Sequence, residues 1–135
     1  MTSQKMTIAK IGAVHNADKA AVFDIRNLSV EFKTRNGMVN AVRDVSFSIK
    51  KGETVGVVGE SGSGKSVTAY AALGILARTG RISGGSVHFN GDDLTAMRAE
   101  DLRQIRGRDI SMIFQNPMSA LNPIRKVGMQ IEDVL

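Results

Sequence analysis

The clearest pattern in the sequence is an alternation of apolar and polar residues that begins near residue 23. Leu28, Val30 and Phe32 are separated by polar residues, as in a strand that buries one face. The pair Asn36-Gly37 comes next and favours a tight hairpin, because both residue types tolerate positive φ. We therefore expect a strand followed by a hairpin turn.

A second alternation follows this predicted turn. Val45, Phe47 and Ile49 are expected to point inward, and the polar residues between them outward. The pair Lys51-Gly52 then offers a second reversal of the chain. Together the two alternating segments predict an antiparallel β layer.

Two other segments lack a polar side. Thr54–Val58 has the sequence Thr-Val-Gly-Val-Val, and residues 110–114 have the sequence Ile-Ser-Met-Ile-Phe. A strand inside a parallel sheet is covered on both faces and is therefore apolar throughout. We expect both segments to be buried strands, the first of them in a parallel sheet.

The sequence after the first buried strand predicts a helix. Over residues 65–78 apolar side chains recur at the spacing of one helix face, and Gly80 is the predicted C-terminal stop. The positions on that face are Ala69, Ala72, Leu73 and Leu76.

The remaining predicted elements are short. Residues 86–89 predict a strand closed by a turn at Asn90-Gly91, and a helix that contains Leu102 ends at Gly107. An amphipathic helix starts at about residue 125, with an apolar side formed by Val127, Ile131 and Val134 or Leu135. Because that side has nothing left to pack against within the sequence, we expect the chain to be a truncated domain.

A glycine-rich loop joins the buried strand to the first helix. Strand, G-x-x-x-x-G-K-S and helix, in that order, form the phosphate-binding loop of nucleoside triphosphatases. Glycines let successive N–H groups face a polyphosphate, and the helix N-terminus adds partial positive charge. Lys65 supplies a full charge for the β- and γ-phosphates, and the Ser66 hydroxyl is placed to bind Mg²⁺. The loop is Gly59-Glu60-Ser61-Gly62-Ser63-Gly64-Lys65-Ser66.

Composition narrows the remaining choices. The 135 residues allow one domain or a large piece of one, and the absence of cysteine excludes disulfides, thiolate metal sites and cysteine nucleophiles. The net charge of +5 fits an anionic ligand, a membrane surface or nucleic acid without selecting one. No apolar run approaches the ~20 residues that span a bilayer. Residues 1–21 have the mixed composition of a flexible extension rather than a signal peptide.

Three landmarks, taken in order, resemble the ATP-binding-cassette (ABC) ATPases. Residues 45–53 lead into the phosphate loop, residues 85–91 follow it, and Ile-Phe-Gln-Asn-Pro occupies residues 113–117. The resemblance covers residues 22–135. Within the family, residues 59–68 and 110–123 are similar to the oligopeptide, dipeptide and nickel importers.

This resemblance implies an α/β fold, in which a P-loop NTPase core carries an antiparallel β subdomain and the C-terminal half is absent here. It also implies that residues 22–135 are the N-terminal portion of a nucleotide-binding domain. In such systems the ATPase couples ATP hydrolysis to solute import, here of di- or oligopeptides, with nickel as the narrower alternative. Its implied partners are transmembrane permease subunits, a second ATPase subunit in a homo- or heterodimer, and an external solute-binding protein. Nucleic acid is not among them, and the implied location is the cytoplasmic face of the inner membrane.

The resemblance also assigns roles to single residues. Phe32 matches the aromatic residue that stacks on adenine, although its place in an alternating strand equally allows a core role. Gln115 matches the Q-loop glutamine, which contacts Mg²⁺ or the attacking water and signals to the membrane subunits; a polar residue that merely ends a strand is the alternative. Lys65 and Gln115 are implied to be catalytic, and Ser66 and Gln115 to bind Mg²⁺. The residues implied to contact ATP are Phe32, Gly59, Ser61, Gly62, Ser63, Gly64, Lys65, Ser66 and Val67.

Other parts of the family's apparatus are missing from the sequence. No apolar run ends in Asp-Glu, and the downstream signature, D-loop and switch histidine are not encoded. A second hypothesis is therefore a nucleotide-binding module without hydrolytic activity of its own. A third, a nucleic-acid-associated ATPase, is the weakest, because the positive charge is modest and no aromatic stacking platform accompanies it.

Three further features have ordinary structural explanations. Residues 82–86, Ile-Ser-Gly-Gly-Ser, resemble the family's signature but lie too close to Lys65, and we expect a turn there. His88 alternates with apolar neighbours and is expected at the surface. A solvated face, or contact with a partner or lipid head group, is expected for Arg98, Arg103, Arg106 and Arg108.

Overall fold

The computed structural model describes residues 7–11, 21–116 and 121–133. Of the predicted positions, Pro117, Val134, Leu135 and most of residues 1–21 lie outside these ranges. The strands are β1 (Thr7–Ile11), β2 (Ala21–Thr34), β3 (Gly37–Lys50), β4 (Thr54–Val58), β5 (Gly80–Phe89) and β6 (Asp92–Asp93). The helices are α1 (Lys65–Ala72), α2 (Ala99–Ile105) and α3 (Val127–Glu132). With eight, seven and six residues, the helices in these ranges fall short of the ~20 that cross a bilayer.

The predicted hairpin is confirmed as the pair of β2 and β3. Thr34 pairs with Gly37, and the turn between them is Arg35-Asn36, one residue earlier than predicted. Gly37 takes the positive φ, 115°, that the tight reversal requires. The second predicted reversal is also present, because Gly52 has a φ of 78° and Glu53 N–H donates to the Lys50 carbonyl at 3.0 Å.

One antiparallel sheet carries the core. Its strand order is β3-β2-β5-β6, and α1 packs against β2, β3 and β5. Five of the six predicted inward residues lie in or against this core, and the sixth, Ile49, is half-buried without being part of it. The predicted antiparallel β layer is therefore confirmed. Its buried apolar side chains, among the described residues, are Ile25, Leu28, Val30, Val42, Ala71, Ala72, Val87 and Leu94.

Three neighbouring strands of this sheet are irregular at positions that lie side by side across the sheet. Asp44 on β3, Asn27 on β2 and Gly85 on β5 have left-handed φ values of 50°, 49° and 79°. The pairing registers shift beside each of them, as they do at β-bulges. Before Asn27 in the chain, the inward residues of β2 have odd numbers, as Ile25 has. After it they have even numbers, as Leu28 has. We call Asp44, Asn27 and Gly85 the bulge line.

Side chains replace lost ladder bonds along the bulge line. Asn27 Nδ2 donates to Asp44 Oδ1 at 2.7 Å. The backbone N–H groups of Asn27 and Asp44 donate to the hydroxyls of Ser46 and Ser29, at 2.7 and 3.1 Å. Because Gly85 lies inside β5, the turn predicted for residues 82–86 is wrong, and the two glycines of that segment belong to a bulged strand.

The predicted parallel pairing of β4 is wrong for the described residues. β4 pairs antiparallel with β1, from Thr7↔Val58 to Ile11↔Thr54, in a second sheet of two strands. Its burial is incomplete, since Val58 is 51% exposed. The physical reason is that backbone N–H and C=O groups need partners, and β1 supplies them where no parallel neighbour is formed. Residues 7–11 had no predicted element.

Helix α1 ends earlier than predicted. Its C-terminal residue is Ala72, and Gly74 adopts a φ of 64°. Gly74 N–H donates to the Ala71 carbonyl at 3.1 Å and Ile75 N–H to the Tyr70 carbonyl at 2.9 Å, which is a Schellman motif. The predicted stop at Gly80 is therefore wrong, because Gly74 completes the cap first and Gly80 begins β5.

The strand predicted for residues 110–114 is not formed. Ile110 makes an isolated bridge to Arg106, and residues 111–116 have neither helix nor strand. An apolar segment needs a neighbouring strand for its backbone, and none of the described strands pairs with it. Ile113 is 95% exposed as a result. By contrast, the short helices predicted before Gly107 and after residue 125 are confirmed as α2 and α3.

Candidate phosphate-binding site

The loop between β4 and α1 turns sharply through its glycines. Gly62 and Gly64 have φ values of 80° and 93°, and Ser63 N–H donates to the Glu60 carbonyl at 3.2 Å. α1 starts at Lys65, directly after the second of these glycines. The first N–H groups of a helix have no intrahelical acceptor, so this helix end is suited to an anion. The predicted strand, loop and helix therefore follow one another in the structure.

The loop is fixed against the antiparallel sheet at Gly64. A β-carbon at this position would lie 2.6 Å from the Ala41 carbonyl oxygen and 3.2 Å from Val42 Cγ2, both on β3. Thr68, which is buried, donates its hydroxyl to the Gly64 carbonyl at 2.9 Å. Sequence patterns did not single out Ala41 or Thr68. The contacts explain why glycine is needed here for close approach as well as for its φ.

The Lys65 ammonium lies across the loop. Its Nζ donates to the carbonyl oxygens of Gly59 and Glu60, both at 2.7 Å, and lies 3.4 Å from Ser63 Oγ. The lysine therefore concentrates a full positive charge where the loop residues converge. Ser66 is exposed beside it, Ser61 is exposed, and Val67 is half-buried against the core.

Phe32 lies on the same sheet face as the helix. It pairs with Val39 on β3 and with Gly80 on β5, and its ring packs partly against the core. Gly64 touches β3 at residues 41–42, only two or three residues from Val39, which is about 7–10 Å along a strand. The ring is thus near the phosphate loop but half-buried, so its geometry is compatible with both roles weighed from the sequence.

Gln115 lies outside the phosphate loop, and the residue before it contacts α1. The ring of its neighbour Phe114 is 6.3 Å from the ring of Tyr70, centroid to centroid, with a 38° angle between the planes. The described hydrogen bonds join Gln115 to neither Lys65 nor Ser66. Tyr70 was not singled out from the sequence, although an aromatic residue one and a half turns after the loop lysine is a signal that could have drawn attention to it.

Two members of the arginine cluster of α2 and its C-terminal turn, Arg98 and Arg108, are exposed and ion-paired. Arg98 contacts Asp101 at 2.9 Å and Arg108 contacts Asp109 at 2.7 Å. The hydrogen bond to Asp101 raises the pKa of the Arg98 guanidinium, and the bond from Arg108 lowers the pKa of the Asp109 carboxyl. Pairs this exposed contribute little to stability. Arg98 and Arg108 agree with the solvated face expected from the sequence, whereas Arg106 is half-buried and donates to the Leu102 carbonyl at 3.3 Å.

Comparison with known proteins places this loop in a family. Residues 42–132 match the family described as ABC transporter. The oligopeptide transport ATP-binding protein OppD of Escherichia coli (strain K12) is 50% identical over 115 residues, which is 85% of this chain and 34% of that protein. OppD of Haemophilus influenzae is 48% identical over 114 residues, 84% of this chain and 35% of the relative.

A dipeptide relative gives the same result. The dipeptide transport ATP-binding protein DppD of Lactococcus lactis subsp. cremoris is 46% identical over 114 residues, 84% of this chain and 33% of that protein. The chain thus spans about a third of the length of the relatives it matches. Since the family match runs from within β3 through the phosphate loop to the end of α3, the chain belongs to the ABC transporter family.

Proposed function

We propose that the chain is the nucleotide-binding N-terminal part of an ATPase subunit that drives import of peptides across a membrane. The observation that carries this proposal is the Lys65 ammonium held across the glycine-rich loop by the Gly59 and Glu60 carbonyls. An ammonium in this position faces the phosphates of a nucleotide bound at the start of α1. The relatives named for oligopeptide and dipeptide transport support peptides as the solute.

Each part of the site has a separate task in this proposal. The loop N–H groups and Lys65 hold the β- and γ-phosphates, with Gly59, Ser61, Gly62, Ser63, Gly64 and Val67 as the surrounding contacts. Magnesium prefers oxygen ligands and takes one or two from a protein when phosphates supply others. The exposed Ser66 hydroxyl at the first turn of α1 fits that requirement. When bound, the ion neutralises charge on the phosphates.

Phe32 and Gln115 complete the proposed site. The Phe32 ring offers an aromatic surface for the adenine base, since it lies on the loop side of the sheet and keeps part of its surface open. Gln115, exposed beside α1, is proposed to sense the γ-phosphate and to transmit its presence to permease subunits. A second ATPase subunit and an external solute-binding protein complete the proposed assembly at the cytoplasmic membrane face.

A second candidate function is nucleotide binding without hydrolysis by this chain alone. The observation that favours it is chemical: the sequence holds no apolar run that ends in Asp-Glu, the pair that would support magnesium and orient the attacking water. Phosphoryl transfer depends on an oriented nucleophile as well as on charge stabilisation. Binding of MgATP without turnover would support this candidate, and it is compatible with the first for a longer protein.

The decisive experiment measures MgATP binding by calorimetry. The Lys65→Ala variant is expected to lose at least about tenfold in affinity, because a hydrogen-bonded charge contributes on the order of 1.5–3 kcal/mol. Lys51→Ala, an exposed lysine in the turn before β4, is the matched control and is expected to bind as the wild type does. In a longer protein, Lys65→Ala is expected to lower turnover ~10²-fold or more. Equal affinity of both variants would disprove the proposed role of the loop.

The role of Gln115 needs a separate measurement in the longer protein. Gln115→Ala is expected to retain ATP affinity and to lose solute uptake into vesicles that contain the permease subunits. The reason is that the residue lies outside the phosphate loop but directly follows Phe114, whose ring contacts the helix that starts there. Uptake at the wild-type rate would exclude a coupling role.

A further inference from the structure

The aromatic contact between Tyr70 and Phe114 joins two parts of the proposed site. Tyr70 lies on α1, five residues after Lys65, which is about one and a half helical turns. Phe114 directly precedes Gln115 in a segment without helix or strand. Their ring centroids are 6.3 Å apart, within the distance at which aromatic pairs attract each other. The contact therefore connects the helix of the phosphate loop to the candidate glutamine.

The helix side of this contact is rigid. Thr68 binds the Gly64 carbonyl through both its backbone N–H and its hydroxyl, at 2.8 and 2.9 Å. Ala71 and Ala72, at the end of the same helix, are buried in the core. Hydrogen bonds and packing thus join Gly64, which is seated on β3, to the second turn of α1, where the ring of Tyr70 lies.

The other side of the contact is largely exposed. Gly107 N–H donates to the Ile110 carbonyl at 2.8 Å, and Ile110 packs against the core. Beyond it Ser111 and Ile113 are exposed, and Phe114 itself is 42% exposed. The ring contact with Tyr70 joins Phe114, and with it residues 111–116, to the helix.

From these observations we infer that Tyr70 is a positioning residue for Gln115, and that the Tyr70–Phe114 contact carries phosphate binding at the loop to the glutamine segment. The inference rests on the proposed function of the loop. It differs from a packing role in one respect: it requires that phosphate binding changes the behaviour of residues 111–116 only when the ring contact is intact.

The test measures amide hydrogen exchange of residues 111–116 in the full 135-residue chain, with and without magnesium and inorganic triphosphate. Triphosphate has no nucleobase, so its binding tests the phosphate loop and not the contact with Phe32. We expect bound triphosphate to slow the exchange by about two- to tenfold, the range that one aromatic pair can contribute. Tyr70→Leu is expected to abolish this protection while triphosphate affinity, measured by calorimetry, stays within about twofold of wild type.

Two variants separate positioning from general packing. Tyr70→Phe retains the ring and is expected to show the full protection. Phe89→Leu breaks the other ring pair of the described residues, Phe23–Phe89 with centroids 6.5 Å apart, and is expected to leave the protection of residues 111–116 unchanged. That pair joins β2 to β5 and does not include α1 or residues 111–116, so it controls for the loss of any aromatic contact.

The intrinsic fluorescence of Tyr70 gives a second measurement. Tyr70 is the single tyrosine and the chain has no tryptophan, so intrinsic fluorescence reports on Tyr70 alone. Triphosphate is expected to change its fluorescence lifetime in the wild type and not in Phe114→Leu. Protection that persists in Tyr70→Leu, or an equal lifetime change in Phe114→Leu, would overturn the inference. Failure of the wild type to bind triphosphate in the calorimeter would instead overturn the proposed function.

Discussion

The ring of Phe32 lies directly against the α-carbon of Gly80 on the neighbouring strand. A β-carbon at Gly80 would stand 2.5 Å from Phe32 Cε1 and 3.0 Å from Cδ1 and Cζ. The two residues are cross-strand partners in β2 and β5, so they share one sheet face. The position of the candidate base-stacking ring therefore depends on the absence of a side chain at Gly80.

Gly80→Ala is expected to displace the Phe32 ring and weaken ATP binding by about tenfold, the size of one lost base-stacking contact. Affinity for inorganic triphosphate is expected to stay unchanged, because the loop is not involved. The matched control is Gly84→Ala in the same strand, where an added β-carbon would meet only Ser29 Cβ at 3.9 Å. Calorimetry with both ligands decides: an equal loss for ATP and triphosphate would show that Phe32 does not contact the base.

Gly64→Ala is expected to lower the free energy of unfolding by about 2–4 kcal/mol, because it combines a left-handed φ with a collision against the Ala41 carbonyl. Gly52→Ala has a similar φ of 78° but open space around the added carbon, so it is expected to cost only about 1–2 kcal/mol. Urea midpoints of the two variants measure the difference. Equal midpoints would show that the loop is not seated on β3 at this residue.

Asp93→Asn is expected to remove an acid-sensitive part of the stability. The Thr95 hydroxyl and backbone N–H donate to the Asp93 carboxylate, and the hydroxyl bond is the main cause that lowers the pKa of Asp93. A lowered folded-state pKa stabilises the fold above the unfolded pKa near 4, and the contribution disappears as pH falls through the folded value.

Wild type is therefore expected to lose more stability between pH 7 and pH 3 than Asp93→Asn does, when urea midpoints are compared. Asp92→Asn removes a like charge from the adjacent residue of β6 and serves as the control. If the variant at residue 93 shows the same acid dependence as wild type, the hydrogen bonds to Thr95 do not contribute in solution.

The chain by itself is expected not to hydrolyse ATP and to be poorly stable. The sequence encodes no Asp-Glu pair after an apolar strand that would orient water, and large apolar side chains such as Ile113 and Ile124 are 95% and 90% exposed. Phosphate release with MgATP and a thermal melt test both statements. Steady turnover that Lys65→Ala abolishes, or a thermal midpoint in the ordinary range of about 45–65 °C, would contradict the prediction.

Local chemistry explains which elements could be predicted from the sequence. The reversals at Gly37, Gly52 and Gly91 all use left-handed glycines, with φ values of 115°, 78° and 95°. Such turns depend on residues adjacent in the chain, and so does the start of α1 after Gly64. The hairpin and the loop–helix junction could therefore be predicted from the sequence pattern.

The elements that were predicted wrongly depend on choices the local pattern leaves open. The helical spacing continues past Gly74, so periodicity alone could not decide between Gly74 and Gly80 as the stop. The apolar segment at residues 110–114 has strand character, yet a strand exists only where another strand supplies hydrogen bonds. The bulge line did leave a trace, since Ile25 and Leu28 are both inward but three residues apart. That change of parity was not recognised.

The bulge line also has a consequence for how the sheet assembles from the unfolded chain. A regular ladder can slip by two residues and keep its apolar face, which makes misaligned hairpins a kinetic hazard. Here a slipped strand would set the left-handed Asn27 against a regular stretch of β3, and its side chain would miss Asp44 Oδ1. Gly85 adds a steric condition, because only glycine can approach the Arg26 carbonyl so closely. The three irregular residues thus favour one alignment of the three strands, because a slipped pairing loses the hydrogen bond to Asp44 and brings a side chain to the place of Gly85.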